Sequence, residues 1–237
     1  MRILALETSA KACSAAVTED GKVVAGVFQC TGLTHSRTLM PMVEGMLKNA
    51  DLTAADMDAI AVARGPGSFT GIRIGVAAAK GLAFAAGKPA VGVSTLEAMA
   101  LNAAGMDGLV VCAMDARRQQ IYNAVFSSRD GRLTRLTPDR AIALSDLAEE
   151  LKTEETRKII VGDGAALCYT YFLEKQLPCV LAPPSLVMQN AVSVALAAEK
   201  AAQAGGLVSA QELVPVYLRA AQADRLRKER NEREQST

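Results

Sequence analysis

The apolar positions of the chain change period several times, and each change predicts an element. Arg2-Ile-Leu-Ala-Leu6 is an apolar run behind a single arginine, the pattern of a buried strand. Glu7-Thr-Ser-Ala-Lys11 ends it as a polar turn. Cys13–Val17 and Val23–Gln29 read as two further strands, with Glu19-Asp-Gly21 as the hairpin turn between them. The period then lengthens. Leu39, Met42 or Val43, Met46 and Leu47 recur at three- and four-residue intervals, one face of a helix. Pro41 has no N–H to donate and fits a first turn, so this helix is expected to begin near Ser36 to Thr38. Ala59–Ala63 is a fourth strand. It runs into the glycine loop Gly65-Pro-Gly-Ser-Phe-Thr-Gly71 and an Ala-rich helix to about Ala86. Ala90–Val93 is a strand, and Ser94 is placed to cap a helix over Thr95–Ala104.

Near Gly105 to Gly108 the pattern starts again. Leu109–Met114 is an apolar strand, Asp115-Ala-Arg117 a polar turn, Ile121–Phe126 a second strand and Arg129-Asp-Gly131 a hairpin turn. Glu7 precedes Val17 by ten residues, and Asp115 precedes Val125 by ten. This spacing fits an internal duplication of a strand–acidic turn–strand unit, although two unrelated hairpins would look the same over so short a stretch. Further on come a helical stretch Leu144–Leu151, a strand Lys158–Val161 with Gly162-Asp-Gly164, a helix to about Lys175, and a long Ala-rich helix Gln189–Ala204. The expected units are residues 1–105 and a smaller 106–218. From Arg219 to Thr237 charge dominates, so this tail is expected to be a frayed exposed helix or disordered. Its interleaved acids Asp224, Glu229, Glu232 and Glu234 argue against a basic nucleic-acid arm.

Composition narrows the classes of function. Half of the 237 residues are hydrophobic, enough for one large core or two small ones. A net charge of +1 gives no strong field for nucleic acid or an anionic membrane. The apolar start is too short for a signal-peptide core, and no uninterrupted run of about 18 apolar residues occurs. The five cysteines are scattered without a CxxC pair, which suits reduced thiols in a cytoplasmic protein.

The glycine loop meets neither phosphate-binding template. Gly71 is followed by Ile72 and Arg73 where a P-loop needs Lys and a hydroxyl, and Thr70 stands where the dinucleotide fingerprint needs its third glycine. The helix behind it carries Gly71, Gly75 and Ala79 four apart, on one face. Each interior glycine costs a helix about 1 kcal/mol against alanine, and close approach of another backbone offsets that cost. The neighbour is either the chain's own sheet or a helix of another subunit. Ile72, Val76 and Ala83 adjoin the stripe, Arg73 and Lys80 edge it, and Met40, Met42 and Met46 on the preceding helix suit an adaptable contact surface. His35, the one histidine, cannot anchor a zinc or iron site alone, and no Gly-x-Ser-x-Gly elbow is present. The acidic turns at Glu7-Thr8-Ser9 and Asp115 carry oxygen ligands suited to magnesium and phosphate, and ordinary turn chemistry accounts for them equally well.

Several segments together carry a resemblance: ILALETS at 3–9, THS and LMPMVEGML between 34 and 47, RGPGSFTGIRIG at 64–75, KGLA at 80–83, GVSTL at 92–96, MDAR at 114–117 with Tyr122 beyond it, and PVYLR at 215–219. The chain resembles the TsaB (YeaZ) family of bacterial tRNA threonylcarbamoyladenosine biosynthesis proteins. The resemblance implies an α/β fold duplicated as in actin, sugar kinases and Hsp70, with two subdomains, each a mixed sheet with flanking helices. It implies a non-catalytic partner of TsaD, which transfers the threonylcarbamoyl group to the adenosine 3′ of the anticodon, with the ATPase TsaE joining the pair. It implies a homodimer when alone, contact with tRNA only through the complex, and no membrane. The partner interface is expected on the first two helices, at Leu39, Met42, Met46, Gly71, Arg73, Gly75, Val76 and Lys80. Glu7, Thr8, Ser9 and Asp115 are expected to form a vestigial nucleotide or phosphate site, with no catalytic residue and no metal. Family members more often carry Asp where Glu7 stands and a Gly-Glu pair near Gln119. ATP with magnesium is therefore expected at most weakly, or only in the complex with TsaD and TsaE. The alternatives are an ATP-dependent kinase or phosphotransferase using Glu7, Thr8 and Asp115, and, behind it, a glycopeptidase.

Overall fold

The computed structural model describes residues 1–219. Its strands are β1 (Arg2–Glu7), β2 (Cys13–Glu19), β3 (Lys22–Gln29), β4 (Ala59–Ala63), β5 (Ala90–Val93), β6 (Gly108–Asp115), β7 (Gln120–Arg129), β8 (Arg132–Arg135), β9 (Arg140–Ala143), β10 (Lys158–Val161) and β11 (Val180–Leu181). Its helices are α1 (His35–Asn49), α2 (Phe69–Ala86), α3 (Thr95–Leu101), α4 (Leu144–Leu151), α5 (Ala165–Glu174) and α6 (Ala191–Gln203).

The strands form two sheets, ordered β3-β2-β1-β4-β5 and β8-β7-β6-β10-β11, with β9 also paired to β7. The two orders correspond strand for strand. In each, the first two strands are antiparallel, and the first strand then runs parallel to the fourth and fifth members of its own set. The helices repeat as well: α1 and α4 precede the crossover strand, α2 and α5 follow it, and α3 and α6 close each half. The ten-residue spacing from acid to valine is thus one edge of a whole duplicated unit. The architecture is the α/β fold of the actin, sugar-kinase and Hsp70 group.

Both faces of each sheet are covered, which is why the central strands read as continuous apolar runs. One face of the first sheet buries Leu4, Leu6, Val17, Ile60 and Val62 beneath α1 and α2, and its other face packs Ile3, Ala5 and Ala61 on α6. The second sheet carries α4 and α5 on one face and α3 on the other. The closing helices are therefore exchanged: α3 covers the second sheet, and α6 returns to cover the first. After α6 the chain stays on the first unit. Val208 pairs with Ala90, and the Val216 amide donates to the Arg64 carbonyl at 2.7 Å.

Several sequence expectations need adjustment. Helix α1 starts at His35, so Pro41 lies one turn deeper than a first turn, on an exposed face. Helix α3 stops at Leu101. Asn102 then turns its amide to the carbonyls of Leu186 and Met188, 2.8 Å from each. Arg219 does not open a free tail, since its guanidinium donates to the Ala116 carbonyl at 2.7 Å. The expectation for the rest of that tail falls outside the described residues. Helix α2 is long and apolar enough to cross a membrane by length and composition. Its buried face on the first sheet and its interior Arg73 and Lys80 are the arrangement of a core helix.

Candidate functional site

Helix α2 is delimited by local chemistry. The Ser68 hydroxyl accepts the Gly71 amide, and Gly87 ends the helix in the left-handed region at φ 64°. The stripe of Gly71, Gly75 and Ala79 is buried, and it faces inward. A Cβ on Gly71 would overlap the Thr8 carbonyl oxygen, and one on Gly75 would overlap the Thr8 hydroxyl and press on Val62. That hydroxyl donates to the Gly71 carbonyl at 2.8 Å. The glycines therefore make room for the chain's own first acidic turn, not for a second molecule. Leu39, Met46 and Val76 join the core with them. These five expected interface residues are withdrawn from the surface by the packing of α1 and α2 on the sheet.

Arg73 and Lys80 also have intramolecular duties. The Arg73 guanidinium lies 3.8 Å above the Phe69 ring, and its Nε donates to the Tyr217 hydroxyl at 3.0 Å. Lys80 Nζ donates to the carbonyls of Gln211 and Leu213. Both cations hold the C-terminal segment across α2. Of the expected interface set, Met42 alone is left half-buried beside the outer surface without such a duty.

The outward surface of the two helices has a different composition. Ala77, Gly81 and Ala85 form a second small stripe, four apart and exposed. Beside it Phe84 is 74% exposed. Gly45 on α1 and Gly81 on α2 have nothing within 4 Å of where a Cβ would stand. Two interior glycines thus cost their helices stability with no compensation inside the chain. The signal was present in the sequence as Gly45, Gly81 and Phe84. It could not be sorted from the inner stripe because α2 is small and apolar on both faces.

A second candidate region lies where the two acidic turns meet. A cleft of about 420 Å³ opens between the β1–β2 turn, the start of α2, the β6–β7 turn and residues 216–219. Glu7 is sealed below it. One carboxylate oxygen accepts the Ser9 amide at 2.5 Å, and the other has no partner. Burial, helped by the nearby Asp163 charge, pushes its pKa up to about 7. Thr8 is committed to Gly71. Asp115 accepts the Arg117 amide at 2.8 Å and pairs with the Arg117 guanidinium at 3.5 Å. Sequence reasoning missed Asp163, which sits in the loop equivalent to the glycine loop. Burial also raises its pKa, and Gln189 donates to it. Two of these residues do not fit a magnesium ion: the carboxylate of Glu7 is enclosed and the Thr8 hydroxyl is occupied, which leaves Asp115, in an exposed 3.5 Å pair with Arg117, as a lone carboxylate. Among the described residues no group of three or more His, Cys, Asp or Glu side chains is placed to hold a metal. His35 instead bonds the Ala10 carbonyl through Nε2, tying the start of α1 to the first turn.

Comparison with known proteins gives a consistent picture. The family model described as "TsaD: tRNA N6-adenosine threonylcarbamoyltransferase" matches residues 29–235. The tRNA threonylcarbamoyladenosine biosynthesis protein TsaB of Escherichia coli is 33% identical over 92% of this chain and 95% of its own length. The Bacillus subtilis protein of the same name is 36% identical over 70% of this chain and 73% of its own. The solved structure of YeaZ from Pseudomonas aeruginosa superposes with a TM-score of 0.76 at 29% identity, covering 92% of this chain and 99% of that one. With a curated TsaB protein 33% identical over nearly its whole length and a YeaZ structure superposing over most of the chain, the chain belongs to the TsaB family.

Proposed function

We propose that this chain is the non-catalytic partner of TsaD in forming the threonylcarbamoyl group on the tRNA adenosine 3′ of the anticodon. Membership of the TsaB family supports the pathway. The observation that carries the role is the outer face of α2, where nothing stands within 4 Å of where a Gly81 Cβ would be and Phe84 beside it is 74% exposed; Gly45 is open in the same sense on α1. An exposed phenylalanine beside helix-surface glycines is a surface made for another helix. TsaD covers it in the complex, and a second copy of the chain covers it when TsaD is absent. TsaE joins that pair, and tRNA is met through the assembly, in the cytoplasm.

The acidic turns support the non-catalytic half of the reading. A phosphoryl-transfer site needs ligands free to take a metal or phosphate, and Glu7 and Thr8 are both engaged within the fold. The test is reconstitution. The isolated chain, given tRNA, ATP and the activated threonylcarbamoyl donor, forms no modified adenosine. Adding TsaD and TsaE restores formation, and omitting this chain abolishes multiple turnover. Product formed by the chain alone would overturn the assignment.

A further inference from the structure

The second unit carries a cavity of its own, lined by no residue of the cleft and none of α1 or α2. It lies at the start of β10, between α4 and the end of α5, and holds about 950 Å³. Pockets for small molecules span roughly 300–1,000 Å³. Ala148, Leu177 and Val180 give it apolar walls, and Lys158 lies among them.

Lys158 is 3% exposed. Two residues before Ile160, it points to the same face of β10, the one that packs against α4 and α5. Its ammonium has no carboxylate partner among the described residues and donates instead to the carbonyls of Glu154 and Thr156. An ammonium has three N–H donors, so one donor is left over and the charge meets no opposite charge. Burying a charge is costly unless it is paired. Glu154 and Thr156 lie in an exposed loop, where water serves carbonyls without any charge being buried. Tying down that loop therefore does not account for a buried cation.

The charges at the rim do not answer it either. Lys152 pairs with Glu149 at 3.4 Å, and Lys175 Nζ stands 5.6 Å over the Tyr171 ring. Glu149, Glu154 and Glu155 border the opening, so a dianion entering it meets repulsion that a single negative charge meets at half the strength. Cys179 lines the same cavity and is half-buried. Burial pushes its thiol up from the ordinary value, and the charge of Lys158 works against that rise, which places the thiol near the ammonium.

We infer that this cavity binds a small monoanionic carboxylate, its charge on the Lys158 ammonium and its apolar body against Ala148, Leu177 and Val180. The ligand supplies the opposite charge and the third acceptor that the fold withholds from Lys158. The inference is independent of the TsaD assignment, since the cavity lies on the other unit.

The test is an NMR titration of the isotopically labelled full chain with hexanoate and benzoate, each beside its primary amide, and with phenyl phosphate. At least one carboxylate is expected to move the amides of Thr156, Lys158 and Cys179 with a dissociation constant of about 1 mM or tighter, about tenfold or more below that of its amide. Phenyl phosphate is expected to bind no tighter than benzoate. A short peptide ending in phenylalanine, with its carboxylate free or amidated, separates a polypeptide end from a free acid as the source of the carboxylate. Lys158→Met is expected to lose about tenfold or more in carboxylate affinity. A second measurement needs no variant: the carboxylate slows iodoacetamide alkylation of Cys179 in the wild type and leaves that of the exposed Cys30 unchanged. No shift at these amides up to about 10 mM of either carboxylate or the free peptide, equal binding of acid and amide, tighter binding of phenyl phosphate, an unaffected Lys158→Met variant, or no protection of Cys179 at saturation would each overturn the inference.

Discussion

At the scale of single residues, the glycines of α2 divide into two kinds that make opposite predictions. Gly75 is pressed against Thr8 and Val62, so Gly75→Ala forces the first acidic turn away from the helix. It is expected to destabilise the protein by about 1–3 kcal/mol. Gly81 faces open space, so Gly81→Ala is expected to stabilise the isolated chain by about 1 kcal/mol. Urea unfolding of the two variants decides this, and equal effects would contradict the orientation of α2. Glu7 makes a prediction in pH. Its pKa is raised in the folded state to about 7, so the folded chain holds its proton more tightly than the unfolded one. Folding stability therefore falls as pH rises from the ordinary carboxylate range toward 7, and below that range the penalty is absent. Glu7→Gln keeps an acceptor for the Ser9 amide and removes the penalty. It should stabilise by roughly 2 kcal/mol at pH 8 and by much less at pH 5, read from denaturant midpoints. The sequence showed these residues but not their partners. Spacing put Gly71, Gly75 and Ala79 on one face, yet Ala77, Gly81 and Ala85 repeat the same spacing on the opposite face, and only the position of Thr8 tells inside from outside.

At the scale of elements, what was legible follows from how much of each element is buried in a regular way. The strands β1, β4 and β6 are buried nearly end to end and α1 has an unmistakable inner face, so their residues carry the period openly. β8, β9 and β11 are short and none of their residues is fully buried, so no alternation survives to mark them. The C-terminal segment was legible as a family motif but not as a strap. Nothing in PVYLR announces that Lys80 binds the carbonyls of Gln211 and Leu213, or that Arg73 packs on Phe69 and bonds Tyr217. Lys80→Ala removes both hydrogen bonds and should loosen this segment without unfolding the sheets. Amide exchange at Val208 and Val216, whose hydrogen bonds pin the segment to β5 and Arg64, is expected to quicken by about tenfold. Unchanged exchange at both would mean that Leu213, buried in the first core, holds the segment alone.

At the scale of the whole molecule, the duplication was readable because both halves begin with the same strand–turn–strand unit. The exchange of α3 and α6 between the sheets was not, because helix periodicity says which face is buried and nothing of which sheet buries it. That exchange ties the two units together around the cleft, leaving the outer surface of α1 and α2 with an exposed Phe84 and Met40 and two open glycines, Gly45 and Gly81. The central claim is that TsaD is held there. It is tested most directly by measuring the dissociation constant between TsaD and this chain as wild type, as Phe84→Glu and as Gly81→Arg, with Arg132→Glu on the exposed strand β8 of the second unit as a control. The account predicts that the first two variants, folded as the wild type, lose about a hundredfold or more in affinity and that the control changes little. Wild-type affinity in both Phe84→Glu and Gly81→Arg would contradict it.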